Sequence, residues 1–136
     1  MSKAETLKQA VAAACDWLEE NRDNHIASTL SKTADGKTCR PNSPEASCFC
    51  VLGRISHELN ASDYPIDDPD YGAQFRATLL AAGLGADRGG DDYPIFNMND
   101  AFWSDESPRV CGGRSRQGNP AVLDYVRGIF GVEKKG

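Results

Sequence analysis

The stretch Ser43-Pro44-Glu45-Ala46-Ser47-Cys48-Phe49-Cys50-Val51-Leu52-Gly53-Arg54-Ile55-Ser56-His57-Glu58-Leu59 decides how the middle of the chain folds. Ser43 reads as a helix N-cap, Pro44 as a first-position proline and Glu45 as an acid in the first turn. Cys48, Leu52, Ile55 and Leu59 then fall on one helical stripe, which predicts a helix over about residues 44–59. In that helix Cys48 faces inward as a small hydrophobe and Cys50 lies mid-helix on the other side, near Arg54.

Similar signals recur on both sides. Ser2 with Glu5 forms a capping box ahead of Leu7, Val11, Ala14 and Leu18, predicting a helix over about 3–21. Asp68-Pro69-Asp70 opens a helix over about 69–82, with Tyr71, Phe75, Leu79 and Ala82 apolar and Gly83-Leu84 as its stop. Asn119-Pro120 opens the last, carrying Val122, Leu123, Val126, Ile129 and Phe130 up to Gly131, and residues 133–136 form a frayed tail. Asp35-Gly36, between β-branched residues from Ile26 to Thr38, suits a small hairpin. Residues 83–118 hold seven glycines and read as one long Gly-rich loop. The expected fold is therefore mainly α: one compact domain, residues 1–136, of about four helices with a small β-hairpin and that loop.

Composition bounds what such a domain does. The 136 residues carry a net charge of −5, with 40% apolar and 26% charged side chains, which excludes a disordered or fibrous chain. No apolar run reaches the roughly 18–20 residues of a membrane span. Met1-Ser2-Lys3-Ala4-Glu5 lacks the pattern of a secretory signal, so the expected location is the cytoplasm. Five cysteines, an odd set, are accordingly expected as reduced thiols. Charge is uneven: residues 61–108 hold 10 acidic and 2 basic side chains and form an acidic lobe.

Ala34-Asp35-Gly36-Lys37, the block Ser43 to Gly53 and Asn99-Asp100 together resemble a family of small actinobacterial and bacteriophage proteins described as a domain of unknown function. Members of that family read as an N-terminal helix, an Asp-Ala-Asp-Gly-like turn, a Cys-Phe-Cys-Ala-Leu-Gly-Ala-Leu helix, a helical middle, a Trp-Asn-Asp segment and an amphipathic C-terminal helix. Here Val51 stands for Ala, Arg54-Ile55 for Ala-Leu, and Met98 precedes Asn99 where the family has Trp. The resemblance implies a fold and a bacterial or phage origin, and it brings no activity or site residues with it.

Four groups of residues could carry chemistry. Cys50 with His25 is the pair a Cys-dependent hydrolase would need, but a nucleophile belongs at an element terminus and Cys50 is expected mid-helix. The cysteine and histidine spacings match no recurring zinc pattern and the aspartates no calcium loop, so no metal or cofactor is expected. Asn97, Asn99 and Asp100 with Phe96, Phe102 and Trp103 would suit a small-molecule pocket, or else Asn99 or Asp100 caps a helix beginning near Ala101. Arg114 and Arg116, in a glycine-rich loop running into Asn119-Pro120, would bind a phosphate-like or nucleotide-like anion at a helix N-terminus, although the Lys-Ser/Thr of a nucleotide-triphosphatase loop is missing. Asp67, Asp91 and Asp92 of the acidic lobe would dock a basic host protein and disfavour direct nucleic-acid binding. The expected function is a non-enzymatic binding or regulatory protein, a phage or mobile-element accessory acting on a host protein. A small-anion binder and a Cys-dependent hydrolase are the alternatives.

Overall fold

The computed structural model describes residues 2–101, 109–115 and 120–134. Along the described residues run α1 (Lys3–Glu20), β1 (Ser31–Thr33), β2 (Ala46–Phe49), α2 (Val51–Glu58), α3 (Gly72–Ala81), α4 (Tyr93–Asp100), β3 (Arg109–Val110), β4 (Gly113–Arg114) and α5 (Ala121–Phe130). The mainly α architecture expected from periodicity is the one formed. Among the described residues no helix is long and apolar enough to cross a membrane.

Three helices follow their local signals. Ser2 Oγ accepts from the Glu5 amide at 3.2 Å to cap α1, whose Leu7, Val11, Ala14 and Leu18 enter one core cluster with Leu52 and Ile55 of α2 and Val122 and Val126 of α5. The Asp68 carboxylate accepts from the Asp70 and Tyr71 amides ahead of α3, and the Leu84 amide returns to Leu79 O at 2.9 Å behind it. Beyond α5, Gly131 turns left-handed and the Val132 amide closes on Arg127 O at 3.0 Å. Arg127, its side chain only 5% exposed, joins the outer helices by pairing with Asp16 and Glu19 of α1 at 3.1 Å each and with Asp124 at 3.3 Å.

The middle of the chain departs from expectation. Ser43 Oγ takes the Glu45 amide at 3.2 Å in a local turn, and Ala46–Phe49 then runs as a strand against β1, with Ser31 opposite Phe49 and Lys32 opposite Cys48. The helix starts only at Val51. The reason is non-local: β1 offers backbone partners to residues that would otherwise have formed the first turn of a helix. The turn at Asp35-Gly36 sits where expected, with the Gly36 amide on Thr33 O at 3.0 Å and the Thr33 amide on Lys37 O at 2.8 Å, but the main partner of β1 is β2.

Two further corrections follow. The segment expected as one long loop contains α4 and the β3–β4 ribbon. Its start, Asp91-Asp92-Tyr93-Pro94, combines an Asp91 carboxylate accepting from the Tyr93 amide at 3.1 Å with a proline in the first turn. Asn99 and Asp100 therefore lie at the end of α4, followed by an extended Ala101, and the helix expected from near Ala101 falls on residues 102–108, outside the described residues. The cysteines are not all reduced either: Cys48 and Cys111 form a disulfide with Cα atoms 6.4 Å apart, while Cys15, Cys39 and Cys50 are free. As part of a strand, Cys48 faces the β3–β4 ribbon, which the Ile26–Ser115 bridge holds alongside.

Candidate functional site

Tyr64 precedes a single tight helical turn, Pro65–Asp67, on which α3 begins closely: a Cβ at Gly72 would lie 2.6 Å from Ile66 O. Arg76, one turn into α3, donates from Nη1 to Gly90 O at 2.6 Å. That contact draws in the loop ahead of α4, and only glycine fits at its tip, since at φ +109° a Cβ on Gly90 would stand 2.4 Å from Arg76 O. The loop and α4 thereby place Asp91, Asp92 and Phe96 opposite Tyr64, Ile66 and Asp67. Between them lies a cleft of about 380 Å³, with Arg76 and Arg88 also on its wall, within the range of ligand-binding clefts.

Electrostatics single out one residue in this cleft. Asp67 is exposed, and Asp91 is held by the Tyr93 amide and by Arg88 Nη1 at 3.2 Å. Asp92 is only 8% exposed, and among the described residues no other residue donates a hydrogen bond to its carboxylate. Burial raises its pKa above the ordinary carboxylate value, Asp91 and Asp67 add to the rise, and Arg76 offsets it in part. Burial likewise raises the Tyr64 phenol. The site thus presents a partly desolvated carboxylate with unused acceptor capacity in a cleft that two aromatic rings also line. Asp67, Asp91 and Asp92, read from the sequence as one acidic surface, all line this cleft; the sequence does not single out Tyr64, Arg76 and Arg88, because their convergence depends on the loop closing over α3.

The other candidate residues disperse. Asn97 is exposed, whereas Asn99 is fully buried as a junction. Its Oδ1 accepts from the Val51 amide at 3.1 Å and from His25 Nε2 at 2.6 Å, and its Nδ2 donates to Ile26 O at 3.1 Å and to Asp100 Oδ1 at 3.0 Å. Asp100 Oδ1 also accepts from the Ser28 amide at 3.1 Å. Asn99 and Asp100 thus serve the joints between α4, α2 and the segment before β1. Arg114 lies half-buried on β4, and Trp103 and Arg116 fall outside the described residues.

Cys50 sits at the N-cap of α2 and not mid-helix, its Sγ accepting from the Gly53 amide at 3.2 Å. A helix N-terminus is where a thiolate would be favoured. Burial overrides this and pushes the thiol up to about 12, against the lowering by the Gly53 amide, and Cys15 is raised to about 12 by the same cause. Both are protonated near neutral pH. His57, on the same helix, gives Nδ1 to Pro41 O at 2.7 Å and packs its ring 4.9 Å from that of Phe49.

Comparison with family models, with curated proteins and with solved structures gave no match to this chain.

Proposed function

We propose that this chain is a small binding protein that docks a protein partner through a basic side chain received in the Asp67–Asp91–Asp92 cleft. The observation that carries the reading is Asp92, a residue only 8% exposed whose carboxylate lacks donors from other described residues and lines an open cleft. Such a group is costly to bury alone and gains most from a cation brought to it. The likeness of the Ser43–Gly53 block to the actinobacterial and bacteriophage family supports a bacterial or phage origin only, and within it we propose a phage or mobile-element accessory acting on a host protein. Cytoplasmic action would carry the condition that the Cys48–Cys111 bridge form there, since disulfides are rare in reducing compartments.

The test uses a labelled nonapeptide of arginine, lysine and glycine and follows its fluorescence anisotropy on titration with the full chain. Binding should weaken by about tenfold or more in the triple variant Asp67→Asn/Asp91→Asn/Asp92→Asn, as expected when the partner of a desolvated charge is removed. It should weaken also with added salt. Equal binding by the triple variant, with its circular dichroism unchanged, would overturn the reading.

A further inference from the structure

We infer that the group received by the cleft is a guanidinium, taken up between the rings of Tyr64 and Phe96 and the carboxylate of Asp92. This rests on the docking reading above and narrows it to one chemistry.

Three features of the cleft select the occupant. Its resident cations are already engaged and neither is paired with Asp92: Arg76 holds Gly90 O at 2.6 Å, and Arg88 holds Asp91, within the cleft, at 3.2 Å and Asp87 at 3.9 Å. Three carboxylates against two such arginines leave an excess negative charge, so an anion is disfavoured. Second, among the described residues no three His, Cys, Asp or Glu side chains gather as metal ligands do, which separates this cleft from a divalent-cation site. The carboxylates line the walls and do not form a cage.

Third, the apolar part of the lining, Tyr64, Ile66 and Phe96, includes two aromatic rings. An ammonium is a compact, strongly hydrated point charge that gives up its water reluctantly. A guanidinium is planar and weakly hydrated, stacks on aromatic faces, and presents two parallel N–H groups to one carboxylate. Asp92 has the free acceptor capacity that such a fork requires. The molecule itself uses this pairing elsewhere, with the guanidinium of Arg54 at 4.0 Å over the Trp17 ring and 2.7 Å from a Glu58 oxygen.

The shared chemistry could come from an arginine side chain or from a free alkylguanidine. The experiment titrates the full chain with acetyl-arginine-N-methylamide, its lysine counterpart, ethylguanidinium and butylammonium, at millimolar concentrations, following amide shifts of Tyr64, Asp92 and Phe96 by NMR. Both guanidinium probes should bind, each about threefold or more tighter than the matching ammonium, as stacking on an aromatic face predicts. Asp92→Asn should weaken the guanidinium probes about tenfold by removing a charged hydrogen-bond acceptor. Glu45→Gln, the same charge change at an exposed position away from the cleft, should leave binding unchanged. Phe96→Leu provides a second route and should reduce the preference for guanidinium over ammonium. Tighter binding of the arginine amide than of ethylguanidinium supports a protein side chain as the source, and equal binding supports the head group alone; each keeps the guanidinium assignment.

Equal affinity for arginine and lysine probes, or binding indifferent to Asp92→Asn, would overturn it. Loss of nonapeptide binding in the triple variant without any preference for arginine would defeat this inference alone, whereas nonapeptide binding indifferent to the triple variant would defeat the docking reading.

Discussion

At the scale of single residues, Asp92 and Asn99 show how burial divides polar groups into two kinds. Asn99 uses both ends of its amide on four neighbours and is fully satisfied in the core. Asp92 is almost as hidden and receives nothing from other described residues. Because its folded pKa is raised, the folded chain holds that proton more tightly than the unfolded chain does. Stability therefore falls as pH climbs from the ordinary carboxylate value through the raised one, and the ionised group destabilises the fold above that window. Asp92→Asn should thus make the protein more stable than the parent near about pH 7 and leave it nearly unchanged near about pH 3. Urea melts at the two pH values check this. A substitution that stabilises the free protein while weakening its ligand is the mark of a group kept for binding. A lower midpoint for the variant at neutral pH would show that Asp92 is a structural member after all.

Elements depend on how closely their neighbours approach. In α2, a Cβ at Gly53 would lie 1.8 Å from Leu30 O, so the helix and the segment leading into β1 can touch only because this residue has no side chain. The same approach allows the Cys50 amide to reach Leu30 O at 3.1 Å, fastening the start of α2 to that segment. Gly53→Ala should therefore destabilise the protein by about 3 kcal/mol or more, as overpacking against rigid backbone does. Gly128, in α5, faces open space, and there the same substitution should stabilise by about 0.5–1 kcal/mol through helix propensity. Opposite shifts of the denaturation midpoint are the expected result, and shifts of the same sign would contradict the close packing of α2 on Leu30.

For the molecule as a whole, the Cys48–Cys111 bridge is the covalent link between β2 and the β3–β4 ribbon, across a sequence separation of 63. Closing a loop of that length removes entropy from the unfolded chain, so reduction should lower stability by roughly 4 kcal/mol. Thermal melts with and without dithiothreitol measure the effect. Amide exchange in residues 109–115 should rise on reduction before exchange in α1 does, because the ribbon shares little of the main core while α1 runs through it. Uniform exchange throughout would mean that the ribbon and the helical core unfold as one unit.

What the sequence by itself determined was α1, α3, α5 and the turn at Asp35-Gly36. Each rests on signals within a few residues, as where Ser2 caps Glu5, Asp68 caps Tyr71 and Gly131 stops α5. The acidic character of Asp67, Asp91 and Asp92 was equally plain from composition. Only tertiary structure decided that Ala46–Phe49 is a strand, because the choice between strand and first helical turn belonged to Ser31–Thr33, some fifteen residues earlier. The pairing of Cys48 with Cys111 followed from that choice. Only the fold, too, separated Asp92 from the other aspartates of the lobe, since the Gly90 loop held by Arg76 leaves this residue 8% exposed in the cleft lined by Tyr64 and Phe96 while Asp67 stays exposed.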